Sequence, residues 1–130
     1  MSKDQVFAGS YKIRVGDINY GGHMGNDKAL LLFHDARIYF LEERGFSEGN
    51  IGGPGIIMGE AHVYYKREVF RDDELRVFIH IEDIRGISFE MHYSVVRGAD
   101  EVIKGSTKLI AFDYDLKKVV KIPEVLLEKL

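Results

Sequence analysis

The sequence has no cysteine and only two prolines, Pro54 and Pro123, in 130 residues. Without cysteine there is no disulfide, no thiolate metal site and no cysteine nucleophile. A long apolar run is also missing: the densest, Ala29 to Phe33, is soon broken by His34, Asp35 and Arg37. A membrane-spanning helix needs about 20 apolar residues, so no membrane segment is expected. The stretch from Met1 to Tyr11 carries Lys3, Asp4 and Gln5 where a signal peptide would place its apolar core, and a cytoplasmic chain is expected. Nor does one sign of charge dominate. Eighteen Lys and Arg stand against 21 Asp and Glu, a net charge of -3, so nothing draws the chain as a whole to nucleic acid or an anionic membrane.

What is present is patterning over a length suited to one domain, residues 1–130. Phe7 to Val15 reads as a first strand, followed by a polar loop containing Asp17, Asn19, Gly21, Gly22, Gly25 and Asn26. Asp27 to Glu43 reads as a helix, capped at Asn26 or Gly25 and stopped at Gly45. Leu30 to Phe33, Ala36 and Ile38 to Leu41 cover more than one helix face, which implies burial on several sides, by a sheet and by a second subunit.

Phe46 to Gly59 is rich in glycine and reads as a crossover, with a strand from Ala61 to Val69 beyond it. The period then becomes two: Leu75, Val77, Ile79 and Ile81, then Phe89, Met91, Tyr93 and Val95, then Ile103, Gly105, Thr107, Leu109 and Ala111. Arg85-Gly86 and Gly98 to Asp100 supply the turns, and consecutive strands should pair antiparallel. Val119 to Ile122 and a Pro123-led helix, Glu124 to Leu130, complete the chain. The expected class is α+β, an antiparallel sheet wrapped around one long apolar helix.

The text DINYGGHMGN, Asp17 to Asn26, resembles the loop of the 4-hydroxybenzoyl-CoA thioesterase family of hotdog proteins, Asp-x-Asp-x-x-Gly-His-x-Asn-Asn. Asp17, Gly22, His23 and Asn26 match it, and EAHVYYKREVFRDDELRVFIHIEDI and GSTKLIAFD resemble the family's later strands. The resemblance implies a hotdog fold and hydrolysis of an acyl-CoA thioester by a homodimer or homotetramer. It implies no cofactor, the CoA being part of the substrate. It also implies that the backbone N–H of Asn26 polarises the thioester carbonyl.

Asn19 is the departure, standing where the common branch has its catalytic aspartate. An amide cannot take up a proton as a carboxylate does. Asn19 can hold water or the thioester oxygen, and a histidine such as His23 can exchange protons near neutral pH. The missing acid would come from Asp35, within the helix, or next from Asp17, with Asp27 a further candidate. Each has a plainer reading: turn former for Asn19, loop brace for His23, partner of loop amides or Arg14 for Asp17, helix-start acid for Asp27, ion pair for Asp35. Glu60 and His62 are outside candidates from a neighbouring subunit.

Lys66, Arg71 and Arg97, with Arg67 and Lys104, could contact CoA phosphates or simply face solvent. The five histidines have no zinc-type spacing, so no metal is expected, although His80 and His92 face one another if their strands form a hairpin. A non-catalytic acyl-CoA binding or sensing protein is the alternative that Asn19 favours. A hydratase using Asp17 and His23 fits the Gly-Gly-His context less well.

Overall fold

Side chains on a strand alternate between its two faces, and the alternating segments fold as that period requires. The computed structural model describes residues 4–130. In order these form β1 (Val6–Lys12), a 3-10 turn (Val15–Asp17), α1 (Lys28–Glu43), β2 (Gly55–Tyr65), β3 (Glu74–Glu82), β4 (Ser88–Arg97), β5 (Asp100–Asp113), β6 (Lys118–Val119) and α2 (Glu124–Leu127). The strands lie side by side as β1, β3, β4, β5, β2, every pair antiparallel, with β6 joined to the end of β5.

One face of the sheet carries Leu75, Val77 and Ile79 of β3, Phe89, Met91, Tyr93 and Val95 of β4, and Ile103, Thr107, Leu109 and Ala111 of β5, all buried. Against them α1 lays Ala29, Phe33, Ala36, Arg37 and Phe40, the spacing of a single helical stripe. Burying a large apolar side chain contributes about 1.5–3 kcal/mol, so this shared layer holds the sheet curled on the helix. The result is the hotdog fold. No helix among the described residues is long and apolar enough to cross a membrane.

Within the protomer α1 is covered by the sheet on one side, which leaves Leu30, Leu31 and Tyr39 40%, 56% and 39% exposed; the burial expected on its other sides belongs to a second subunit. The helix C-terminus ends as expected: Gly45, at φ 86°, turns the chain and Phe46 N–H returns to the Leu41 carbonyl at 2.9 Å. Its start is later than expected, with Asp27 rather than Asn26 or Gly25 at the cap. Gly25 is retained in the preceding loop by its N–H on the Asp17 carbonyl, 2.9 Å.

Other boundaries move for similar reasons. β1 stops at Lys12, since Val15 to Asp17 coil into a turn closed by Asp17 N–H on Arg14 O at 2.9 Å. β2 begins at Gly55, inside the expected crossover, and pairs with β5 from Phe112 onward. Glycine here serves close approach, not turning: a Cβ on Gly55 would lie 2.7 Å from the Tyr114 ring and 2.9 Å from the Glu48 carbonyl oxygen. β2 ends at Tyr65, not Val69, where the amides of Lys66 and Arg67 both turn to the Val102 carbonyl. α2 closes at Leu127, short of the expected Leu130.

Candidate active site

The loop before α1 folds back on itself. Ile18 and Met24 form an antiparallel bridge, Asn19 N–H donates to the His23 carbonyl at 2.9 Å, and Gly22 N–H donates to the Asn19 carbonyl at 3.1 Å. Gly22 sits at φ 85°, the left-handed region that this tight turn requires and that glycine adopts without strain. Asn19 Oδ1 also accepts the Gly21 N–H at 2.8 Å, so the asparagine forms the turn as its plainer reading foresaw. Asp17 does likewise, its carboxylate accepting Arg14 N–H at 2.9 Å.

This folding brings polar groups together over two glycines. A Cβ on Gly21 would stand 3.2 Å from Asn19 Oδ1 and 3.4 Å from His23 Nε2, so both atoms border the space that glycine leaves open. A Cβ on Gly25 would meet Asp27 Oδ1 at 2.7 Å and Asn19 Cβ at 3.9 Å. Asn19, His23 and Asp27 therefore surround the short path from the turn to the helix. His23 Nδ1 lies 3.3 Å from the Met24 carbonyl oxygen, a contact that a protonated Nδ1 makes while Nε2 keeps its lone pair.

The helix start supplies donors. Lys28 N–H is taken by Gly25 O at 3.0 Å, whereas among the described residues the amides of Asn26 and Asp27 have no hydrogen-bond partner. Both stand at the positive end of a 16-residue helix. Asn26 is held by its own carbonyl, which accepts the Tyr65 hydroxyl from the end of β2. Burial and then the charge of Asp27 push that hydroxyl above its ordinary pKa of 10.0, keeping it a donor. His23, Asn26, Tyr65, Lys66, Arg67 and Val69 line a cleft of about 190 Å³ in front of these groups.

The other expected residues are distributed differently. Asp35 is not brought to this cleft; it is exposed and lies beside Tyr11 of β1, whose hydroxyl is pushed up to about 12 by burial and by Asp35. Lys66 borders the cleft and pairs with Glu101 at 2.5 Å. Arg97 bonds Asp73 at 2.7 Å and the Glu68 carbonyl at 2.9 Å, bracing the turn before β3. Arg71 is exposed and pairs with Asp72 at 3.7 Å. Glu60 and His62 lie on β2, both exposed and 3.3 Å apart. No local motif in the sequence marks Tyr65, whose contact depends on β2 ending beside the helix start.

A protein-family model, the thioesterase-like superfamily, matches residues 13–130. The chain belongs to this superfamily. A relative from Aquifex aeolicus named "Putative esterase" is 30% identical over 100 residues, 75% of this chain and 77% of its own length. The crystal structure of a hypothetical protein from the same organism superposes with a TM-score of 0.86 at 25% identity, covering 94% of this chain and 97% of that one. The 1,4-dihydroxy-2-naphthoyl-CoA thioesterase of Synechocystis shares the fold at a TM-score of 0.85 and 17% identity, over 95% of this chain and 93% of its own.

Proposed function

We propose that this chain hydrolyses acyl thioesters, with an acyl-CoA as substrate. The observation that carries the reading is the pair of amides at Asn26 and Asp27, without a hydrogen-bond partner among the described residues, at a cleft that His23 and Asn26 both line. Donors fixed where negative charge develops are the largest single contribution to most acyl-transfer catalysis. The thioester oxygen takes the amides, and water sits between Asn19 and His23. His23 Nε2 accepts the proton as the water oxygen bonds to the acyl carbon. Collapse of the intermediate breaks the carbon–sulfur bond, and the same proton passes to the departing thiolate.

Asp17 holds the loop through the Arg14 amide, and Asp35 stays outside the protomer's reacting group. Lys66 and Arg67 suit the CoA phosphates, with Arg71 further along the same segment. The proposal carries with it the cytoplasmic setting expected from the sequence.

Purified protein should release free thiol from some member of a panel of short, long and aromatic acyl-CoAs. His23→Ala should lower kcat by about a hundredfold or more, the ordinary worth of a general base. Asp35→Asn should leave turnover near wild type, whereas Asn19→Asp, which restores a carboxylate beside the open amides, should raise it. No thiol release across the panel would sink the enzymatic reading. Saturable acyl-CoA binding without turnover would favour the binding or sensing alternative that Asn19 suggests.

The proposal includes a homo-oligomer. β2 is an 11-residue edge strand that, among the described residues, pairs on one side only, with β5, and unpaired strand edges invite a further strand. Leu30 and Leu31, 40% and 56% exposed at successive positions of α1, add apolar surface suited to contact. Light scattering should give at least twice the 14.9 kDa chain mass, and a monomer at micromolar concentration would reject this part of the reading.

A further inference from the structure

We infer that the outer face of the sheet, away from α1, carries a site for a divalent transition-metal ion ligated by His80, Glu82 and His92. The antiparallel register of β3 and β4 sets His80 directly opposite His92, and Glu82, two residues along, leaves β3 on the same face. One ligand atom from each of the three lies within 4.8 Å of the other two. His80 Nε2 is 2.5 Å and His92 Nδ1 is 3.7 Å from Glu82 Oε2. An ion bound at about 2.0–2.1 Å in tetrahedral geometry holds its ligands roughly 3.3 Å apart, so side-chain shifts of about 1 Å complete the site.

Two features favour an ion over a simple ring of ion pairs. The remote nitrogen of His92, Nε2, lies 2.9 Å from Glu90 Oε1, the carboxylate–histidine arrangement that orients an imidazole toward a metal and raises its basicity. The His80 and His92 rings are also nearly parallel, 25° apart with centroids at 5.0 Å, so both present an edge toward Glu82.

Two imidazoles and one carboxylate select Zn²⁺, Co²⁺ or Ni²⁺ over Mg²⁺ or Ca²⁺. The remaining coordination position opens onto a groove bordered by His62, Tyr64, Lys104 and Ser106, where water or an anion completes the shell. Its ligands are not those of the thioester cleft, and the ion would clamp β3 to β4.

Untagged protein dialysed against chelator should bind Zn²⁺ with one-to-one saturable heat in calorimetry, and Co²⁺ should give the visible bands of a four-coordinate ion. Glu82→Gln and His92→Gln should each weaken binding at least tenfold, and Glu90→Gln about tenfold through its contact with His92. His62→Ala should leave it unchanged. All four side chains point to the solvent side of the sheet, and unchanged circular dichroism would verify that the variants are folded. A zinc-induced rise in Tm should appear in wild type and vanish in Glu82→Gln. Absence of saturable binding, or binding indifferent to Glu82→Gln and His92→Gln, would overturn the inference.

Discussion

Replacing Arg37 by methionine should lower the folding stability by about 3 kcal/mol, read as a fall in the urea midpoint without a change in slope. Arg37 is 7% exposed on the sheet-facing side of α1. Its Nε donates to Glu48 Oε2 at 2.7 Å and its Nη1 to the Tyr93 hydroxyl at 3.0 Å, which in turn bonds Thr107 Oγ1 at 2.8 Å. Removing the guanidinium leaves a carboxylate and a buried hydroxyl short of a partner, and that desolvation, more than the lost attraction, sets the cost. Adding Glu48→Gln to Arg37→Met should therefore recover part of the loss, a coupling that a double-mutant cycle measures.

The same pair has a signature in acid. Burial pushes the Glu48 carboxyl up, but hydrogen bonds from Arg37 and His34 outweigh it and hold it below its ordinary 4.5. A lowered folded-state pKa means that stability from the pair is complete above the unfolded value and is lost as pH falls through the folded one. The gap between wild type and Arg37→Met should be full at pH 7 and should close progressively below about 4.5. A gap that persisted unchanged through acid unfolding would show that Glu48 is not the partner at stake.

Gly105→Ala should be nearly as damaging, also about 3 kcal/mol, although it adds a single methyl group. A Cβ on Gly105 would enter the Phe33 ring and stand 2.5 Å from the His62 carbonyl oxygen of β2. Phe33 cannot retreat: it is fully buried and stacked on Tyr93 with ring centroids 4.3 Å apart. Nor can the carbonyl, which belongs to the β2 backbone paired with β5. Phe33→Leu combined with Gly105→Ala should relieve only the ring clash and restore part of the stability. Full recovery by that double variant, or a single variant as stable as wild type in urea titration, would contradict this account of the core.

Legibility followed the range of the interaction. The inward sets on β3, β4 and β5 were readable because burial on one sheet face imposes a period of two on neighbouring residues. Gly45 announced the helix end for an equally local reason. The start of β2 lies inside the expected crossover because Gly55 resembles a turn residue until Tyr114 and the Glu48 carbonyl are set against it. The Asp17 to Asn26 loop was legible as a motif, and its turn-forming asparagine and glycines as turn chemistry. That Asn19 and His23 converge over Gly21 was not.

By itself the sequence determined the fold class, the one long helix, the alternation of the sheet and the resemblance centred on Asp17 to Asn26. These depend on residues close in the chain and on which of them avoid water. It took the tertiary packing to set Asp35 against Tyr11 apart from the cleft, to put Tyr65 on the helix start, and to bring Glu82 within reach of both facing histidines, His80 and His92. Each of those is a juxtaposition across strands or between strand and helix, set by register and by the packing of Phe33 and Arg37 against the sheet. No spacing along a single segment encodes it.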